Sequence, residues 1–208
     1  NQQVSTFVGI GFQVRNAASS DVNGLELDWR WQATDNLQIG ANLALLDATY
    51  GAFPSAGCTA IQQSAILGGA TSFDGCVSRI GPDGNAVANQ DLQGAQLANA
   101  PDYSGSVFVD YSNNLTNDTT WFVSADVNFT DGYFLAGDID PVDFQAGFEK
   151  VNLRAGVRGE NWELMVFGRN VTDELTASGG FDVPLLSGGH AIYTDPGEIY
   201  GIRGTLNF

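Results

Sequence analysis

The sequence predicts an all-β protein whose antiparallel strands follow the up-and-down order of a transmembrane β-barrel. Its composition favours strands and turns over helices, since the 208 residues include 26 Gly, 13 Phe, 6 Tyr and 4 Trp but only one Met and one Lys. Apolar and polar residues alternate in several segments, which is the pattern of a strand with two different faces. The connections between these segments are alternately short and long, as is typical of transmembrane barrels.

Eight segments carry this alternation and are predicted to be strands. The clearest is residues 24–33, where Leu25, Leu27, Trp29 and Trp31 alternate with polar residues. Short turns follow the second, fourth and sixth strands, whereas long connections follow the third, fifth and seventh, so the long connections leave one end of the sheet. No segment has a convincing helical period. The predicted strands are residues 6–15, 24–33, 37–50, 103–112, 119–130, 150–159, 162–171 and 198–208.

The two faces of these strands differ in a way that favours a membrane barrel. The polar face holds Gly, Ser, Asn and charged residues, and aromatic residues cluster near the ends of the apolar face, as in the girdles that flank a lipid-facing band. A soluble β-sandwich with an aromatic core is the alternative, because alternation does not show which face lies inside. The charged residues of the polar face would line a lumen, either as ligand contacts or as ion pairs without such a role. They are Glu26, Asp28, Arg30, Asp126, Arg154, Arg158, Glu163, Arg169 and Arg203.

The charge of the chain excludes two classes of partner. At a formal charge of −16, with Lys150 as the only Lys and seven scattered Arg, the chain has no basic patch for nucleic acid or anionic lipid. No run of 18 apolar residues is present, so no transmembrane helix is expected.

Cys58 and Cys76 lie 18 residues apart in a stretch rich in Gly and Ser. This spacing favours one disulfide in an oxidising compartment, with two free buried thiols as the alternative.

Few residues suggest catalysis or metal binding. His190 is the only His and is expected to be a solvated loop residue, and no G-x-S-x-G nucleophile motif is present. We therefore predict no enzyme activity and no cofactor. Asp138, Asp140 and Asp143 could supply oxygen ligands to Ca²⁺, but their segment lacks the Gly and the final Glu of an EF-hand loop. A solvated acidic loop is the simpler interpretation.

Five segments carry a family resemblance. Residues 16–27 read NAASSDVNGLEL and residues 36–50 read NLQIGANLALLDATY. Residues 92–104 read LQGAQLANAPDYS, residues 166–174 read VFGRNVTDE, and the chain ends in GIRGTLNF. Each segment is weak alone, but the five in this order resemble the C-terminal part of the barrel of a TonB-dependent outer-membrane receptor.

This resemblance covers essentially the whole chain and implies that it forms about the last eight strands of a 22-stranded barrel. Receptors of this kind import scarce nutrients, such as iron chelates, vitamins or glycans, across the outer membrane of Gram-negative bacteria, with the long loops extracellular. The implied partners are outer-membrane lipid, the remaining barrel strands and plug domain, TonB through the N-terminal part, and the outer-membrane assembly machinery. The sequence shows no counterpart of the plug, of the TonB-contacting segment or of about fourteen earlier strands. The function of a whole receptor therefore does not transfer directly.

The resemblance also implies roles for two sets of residues. Tyr200, Ile202, Leu206 and Phe208 of the last strand should face lipid and carry the assembly signal. The long loops contain many Asp but only Arg79 as a strong cation, which favours neutral or cationic ligands over anionic ones. The candidate ligand-facing aromatic residues of these loops are Tyr50, Phe53, Phe134, Phe144 and Tyr193.

A second hypothesis is a processed or truncated barrel fragment with a structural or self-assembling role at the cell surface. Strands cut from a larger barrel expose two unpaired edges, and exposed edges pair with other chains. A plug domain encoded upstream of Asn1 would favour the receptor over the fragment.

Overall fold

The computed structural model describes residues 3–8, 11–16, 19–81, 84, 86–183, 186 and 188–208, with only the backbone described in the first two ranges. One α-helix, α1 (Ala60–Leu67), and one 3-10 helix, Pro141–Asp143, lie in the long connections. All other regular elements are strands. They are β1 (Gln3–Val8), β2 (Gly11–Asn16), β3 (Ser20–Thr34), β4 (Leu37–Tyr50), β5 (Ser72–Phe73), β6 (Cys76–Ile80), β7 (Ala86–Asn89), β8 (Tyr103–Thr116), β9 (Thr119–Thr130), β10 (Tyr133–Phe134), β11 (Phe144–Gln145), β12 (Phe148–Arg158), β13 (Trp162–Arg169), β14 (Ala177–Asp182), β15 (His190–Thr194) and β16 (Ile199–Leu206).

Seven of these strands form one antiparallel sheet in the order β16-β13-β12-β9-β8-β4-β3. Each strand pairs with the next one along the chain that belongs to the sheet, so the connectivity is up-and-down. Short turns join β3 to β4, β8 to β9 and β12 to β13. The connections 51–102, 131–147 and 170–198 are long and leave the opposite end of the sheet. The all-β, antiparallel fold predicted from the sequence is confirmed, and the sheet is open in the described residues.

The first predicted strand is wrong in its continuity. Residues 6–15 were expected to form one strand, but the backbone forms the separate hairpin β1-β2, with Gln3 opposite Asn16 and Val8 opposite Gly11. Gly9 and Ile10, between the two strands, lie outside the described residues. Alternation of period two is the same in one long strand as in two short ones, so the pattern could not distinguish them.

One face of the seven-stranded sheet is a continuous apolar surface. Directly opposed residues of antiparallel strands share a face, so the register shows which side chains lie together. Leu27 is opposite Leu43, Val107 is opposite Val127, and Val166 is opposite Ile202. Large side chains of this face are exposed, among them Leu25, Leu27, Trp29, Trp31, Leu45, Tyr103, Val107, Val109, Val123, Leu153, Trp162, Leu164, Val166, Tyr200, Ile202 and Leu206.

The other face is polar and carries the predicted charges. The register places Arg158 opposite Glu163, Asp126 opposite Asn152, and Arg203 opposite Met165. Followed across the sheet, these pairings put all nine charged residues of the lumen prediction on this one face. They are Glu26, Asp28, Arg30, Asp126, Arg154, Arg158, Glu163, Arg169 and Arg203.

The buried core lies at the long-loop end of the molecule and not on either face of the sheet. The end of β4 packs against the connection 51–102, and Ile139 of the connection 131–147 joins the same cluster. A second, smaller cluster surrounds the Cys58–Cys76 disulfide and includes Ile66 of α1. The core residues of the larger cluster are Ala48, Tyr50, Phe53, Ala56, Leu92, Leu97 and Ala100.

The helix α1 was not predicted from the sequence. It begins at a capping box, in which the Thr59 hydroxyl accepts from the Gln62 amide and the Gln62 side chain accepts from the Thr59 amide. Its apolar residues show almost no one-sided periodicity, so only the Thr-x-x-Gln cap could have indicated it. In the part of the chain that the structure describes, no helix has both the length and the apolar character needed to cross a membrane.

Candidate functional site

The most distinctive chemistry of the structure lies where the three long connections meet. Asp138, Asp140 and Asp143 come from the connection 131–147, and Asp182 and His190 come from the hairpin β14-β15 of the connection 170–198. We call these five residues the acidic cluster.

Local structure fixes the first part of the acidic cluster. Asp140 is the N-cap of the 3-10 helix, where its Oδ1 accepts from the Val142 amide at 2.9 Å and Pro141 occupies the first turn. This bond leaves Oδ2 of Asp140 directed into the cluster. Asp143 ends the same short helix, which places its carboxylate one turn away on the same side.

The hairpin β14-β15 supplies the second part. Asp182 and His190 are directly opposed in its register, so their side chains lie on the same face. Phe181 and Tyr193 lie on the other face, where their rings are 6.1 Å apart and exposed. The hairpin therefore presents a polar pair inwards and an aromatic pair outwards.

His190 lies among three carboxylates. Its Nδ1 is 3.1 Å from Oδ1 of Asp182 and 3.2 Å from Oδ1 of Asp143, and its Nε2 is 4.0 Å from Oδ2 of Asp140. A carboxylate oxygen of Asp140, a carboxylate oxygen of Asp182 and a ring nitrogen of His190 lie within 4.8 Å of one another.

The acidic cluster is buried, and the burial changes its acid–base behaviour. The side chain of Asp143 is 0% exposed, that of Asp140 is 3% exposed and that of His190 is 10% exposed. Burial raises the pKa of Asp138 to about 7, and repulsion from the Asp182 carboxylate adds to the shift. Burial also raises the pKa of Asp143, against the attraction of His190.

The connection 51–102 contacts the acidic cluster through two hydrogen bonds. The Ala60 amide, in the first turn of α1, donates to Oδ2 of Asp182 at 2.6 Å. The buried Gln90 side chain donates to the Asp138 carbonyl at 2.9 Å and to the Gly57 carbonyl at 2.7 Å. The cluster thus lies at a junction of all three long connections.

The sequence predicted part of this arrangement. Asp138, Asp140 and Asp143 do lie together, but they are not a solvated acidic loop, and His190 is not a solvated loop histidine. The prediction was wrong for these environments because the three connections pack on one another, which no local pattern shows. Asp182 was missed as a member of the site, since it lies eight positions before His190 and no metal-binding motif has that form.

Two of the five predicted ligand-facing aromatics are in the wrong environment for that role. Tyr50 is 3% exposed and Phe53 is 4% exposed, because their rings pack together, 5.3 Å apart, in the loop core. Phe144 and Tyr193 are exposed, and Phe134 is partly buried against Phe144 at 5.0 Å. Only these three remain available for contact with a ligand.

The charges of the polar face form a small number of ion pairs. Arg154 lies 3.0 Å from Asp126, whose other oxygen accepts from Asn128 and Asn152. Arg30 lies 3.7 Å from Asp28, and both side chains are largely exposed. Arg154, Arg158, Glu163 and Arg203 line a wide, open depression on this face.

The two cysteines are bonded to each other, as the sequence predicted. The disulfide joins the residue before the N-cap of α1 to the start of β6, and both cysteines are buried. It closes the part of the connection 51–102 that contains α1 and β5.

Comparison with known proteins gives the context of the sheet and its loops. A sequence model described as "TonB dependent receptor-like, beta-barrel" matches residues 1–171. The siderophore receptor PiuA from Acinetobacter baumannii is similar in fold, with a TM-score of 0.58 at 16% identity over 89% of this chain. The ferric yersiniabactin uptake receptor FyuA from Yersinia pestis is also similar, with a TM-score of 0.65 at 14% identity over 94% of this chain. The chain spans 21% and 25% of those two chains, and no curated protein matches it.

Proposed function

Because this chain belongs to the TonB-dependent receptor β-barrel family, we propose that it forms the C-terminal wall of an outer-membrane receptor that takes up a nutrient. Receptor barrels of this family lie in the outer membrane of Gram-negative bacteria, and the family comprises receptors and transporters, not enzymes. In the proposal the connections 51–102, 131–147 and 170–198 face the outside of the cell, and the short turns face the periplasm.

The sheet with two unlike faces is the observation that carries the proposal. A continuous band of exposed Leu, Val, Ile and aromatic side chains is unfavourable in water but suits lipid. The nine charged residues share the opposite face, where a wet lumen solvates them at lower cost than a dry core. Ring pairs near the short turns, such as Tyr111 with Trp121 at 5.3 Å, fit an interfacial girdle.

The proposed partners follow from the open sheet. In the described residues β3 and β16 each have one neighbour in the sheet, so each presents an unpaired edge. The remaining strands of a larger barrel would pair with these edges, its plug would fill the lumen, and TonB would act through the plug. We assign the assembly signal to β16 and the following residues, where Tyr200, Ile202, Leu206 and Phe208 are exposed.

The loops favour a neutral or cationic ligand over an anionic one. Arg79 is the only Arg of the long connections, so an anionic chelate would need cations from the rest of the receptor. Phe144 and Tyr193 offer exposed rings that could stack on a flat or sugar-like group.

Paired substitutions on adjacent residues test the orientation of the sheet. Leu27 lies on the apolar face and Asp28 on the polar face, and both are exposed. Leu27→Lys should reduce the folded protein recovered from the outer membrane, because a Lys on the lipid face costs roughly 2–4 kcal/mol near the midplane. Asp28→Lys should be tolerated. Equal recovery of the two variants, or a larger loss for Asp28→Lys, would contradict the proposal.

Cysteine labelling tests the direction of the loops. A cysteine introduced at Leu67, an exposed residue of α1, should react with a large, impermeant maleimide in intact cells. A cysteine at Asn117, in the β8-β9 turn, should react only after the outer membrane is permeabilised. The reverse result would overturn the topology.

The open edges also support the second candidate, a barrel fragment that self-assembles. Edge strands β3 and β16 would then pair between copies of the chain. A monodisperse monomer in detergent, together with a plug domain in the same polypeptide, would exclude this candidate.

A further inference from the structure

The acidic cluster contains many buried polar atoms without a hydrogen-bond partner, which is typical of a site that binds a ligand. The buried side-chain N and O atoms that make no hydrogen bond in the described residues all belong to it. Native interiors leave few such atoms, because each one costs about 1–3 kcal/mol when no partner replaces water. The unpartnered atoms are Oδ1 of Asp138, Oδ2 of Asp140, both carboxylate oxygens of Asp143, Oδ1 of Asp182, and Nδ1 and Nε2 of His190.

These atoms approach one another as the ligands of one ion do. Nδ1 of His190 lies 3.1 Å from Asp182 Oδ1 and 3.2 Å from Asp143 Oδ1, but neither contact has the geometry of a good hydrogen bond. Adjacent ligands around an ion with bonds of about 2.1 Å are separated by about 3.4 Å in the tetrahedral geometry of Zn²⁺ and by about 3.0 Å in octahedral geometry. The 4.8 Å limit on the atoms of Asp140, Asp182 and His190 is close to the width of a single coordination shell.

The negative charge of the acidic cluster also favours a bound cation. The cluster contains four carboxylates and one imidazole, so a protonated imidazole would offset only one of four negative charges. Buried charges without a counter-charge cost several kcal/mol each, so the cluster as it stands is unfavourable when ionised. A divalent cation offsets two charges, leaves the imidazole neutral, and gives the unpartnered oxygens a direct ligand.

We propose that the acidic cluster binds one divalent transition-metal ion, of which Zn²⁺ is the type, through a His190 nitrogen and carboxylate oxygens of Asp140 and Asp182. Asp143, whose side chain is fully buried, and Asp138 complete its surroundings. The nitrogen ligand separates this site from a calcium site, because Ca²⁺ takes oxygen ligands and imidazole suits Zn²⁺ and its neighbours.

Such an ion would act on the loops as a clamp. It would join the 3-10 helix of the connection 131–147 to the hairpin β14-β15 of the connection 170–198. Because Oδ2 of Asp182 accepts from the Ala60 amide, the clamp would also position the start of α1. Asp182 would then have the role of a ligand oriented by a second partner, as metal-binding carboxylates usually are.

Metal titration of the full-length protein tests this site. The protein, without a polyhistidine tag, is purified in detergent, stripped with EDTA and titrated with Zn²⁺ and separately with Ca²⁺ in a calorimeter. We expect one Zn²⁺ per chain and at least tenfold weaker binding of Ca²⁺. Zn²⁺ should also slow hydrogen exchange in residues 177–194, which a surface-bound ion would not do.

Matched variants show whether the named residues bind the ion. His190→Ala and Asp140→Asn should each weaken Zn²⁺ binding at least tenfold, whereas Asp74→Asn, at an exposed Asp of the connection 51–102, should not. An intact Cys58–Cys76 disulfide, read from the mass of each variant, shows that the connection 51–102 has formed its cross-link, and unchanged metal-free hydrogen exchange in residues 177–194 shows that the hairpin β14-β15 has folded.

Three results would overturn the proposal. They are the absence of stoichiometric Zn²⁺ binding, an affinity unchanged in folded His190→Ala, and Ca²⁺ binding as tight as that of Zn²⁺. Loops that are stabilised by acidification to pH 6 but not by Zn²⁺ would show that a histidinium ion pair occupies the cluster instead.

Discussion

Loss of the Cys58–Cys76 disulfide should open the connection 51–102 locally without unfolding the sheet. The bond closes a loop of 18 residues that contains α1 and β5. In the chain-entropy account of cross-links, a loop of this size contributes about 3 kcal/mol by restricting the unfolded state. Both cysteines are buried against Ile66, so replacing them also removes some packing.

This free energy corresponds to a large change in the population of the opened loop. Each 1.4 kcal/mol is a factor of ten, so about 3 kcal/mol raises the open fraction roughly a hundredfold. Amide exchange of residues 60–80 in Cys58→Ala/Cys76→Ala should therefore quicken about a hundredfold. Exchange in β8 and β9 should not change, because local opening of a loop does not require the paired strands to separate.

Hydrogen exchange read by mass spectrometry on peptides of the oxidised protein and the variant measures both quantities. The control is Ser72→Ala, at an exposed residue of β5 inside the same closed loop. An acceleration below about tenfold would refute the reasoning, since the core around Ile66 would then hold the loop without the bond. Equal acceleration in β8 would show that the loop and the sheet unfold together.

Two further predictions concern the sheet and its junction with the loops. Gly156→Ala should impair pairing of β12 with β13, because a Cβ there would lie 2.6 Å from the Leu164 carbonyl oxygen and 2.7 Å from the Phe122 ring. Gly204→Ala should be tolerated, because a Cβ there meets no heavy atom within 4 Å. The folded fractions of the two variants can be compared by the shift in gel mobility that heating causes in a folded barrel. Hydrogen bonds from Thr176 and then Lys150 lower the pKa of Asp195 in the folded protein. The ionised carboxylate therefore stabilises its loop at pH values above the unfolded-state pKa, which is near 3.9. This stabilisation is lost as the pH falls through the lower pKa of the folded state. The exchange difference between wild type and Lys150→Met near residue 195 should therefore shrink below about pH 4, and a pH-independent difference would count against this ion pair.

The strands of the sheet could be predicted because alternate residues of each strand face different environments and differ in polarity accordingly. Leu27 and Asp28 are adjacent, yet the register places them on opposite faces, as their chemistry predicts. The hairpin β1-β2 shows where this reasoning fails. Alternation reports which face a side chain shares with its neighbours, but it does not report where the chain reverses.

The loop environments could not be predicted because contacts distant in sequence determine them. Tyr50 and Phe53 resemble exposed loop aromatics until residues 92–100 cover them. Similarly, Asp182 becomes part of a site only when its hairpin packs beside the 3-10 helix and Ala60. Composition indicated that the loops are acidic, but it gave no sign that four of the carboxylates and one imidazole are brought together.

The position of the buried core explains why the loops need their own means of stabilisation. A single-layered sheet has side chains on both faces but encloses no core between them. The stability of this wall therefore comes from backbone pairing and from the medium on each side. The long connections stand outside that wall and have only short strand pairings of their own, in β5-β6-β7, β10-β11 and β14-β15. Their order therefore depends also on a small core around Tyr50, one disulfide and, in the proposal above, one metal ion. These three lie in succession from the end of β4 to the hairpin β14-β15, so weakening any one of them should loosen the loops while the sheet beneath stays paired.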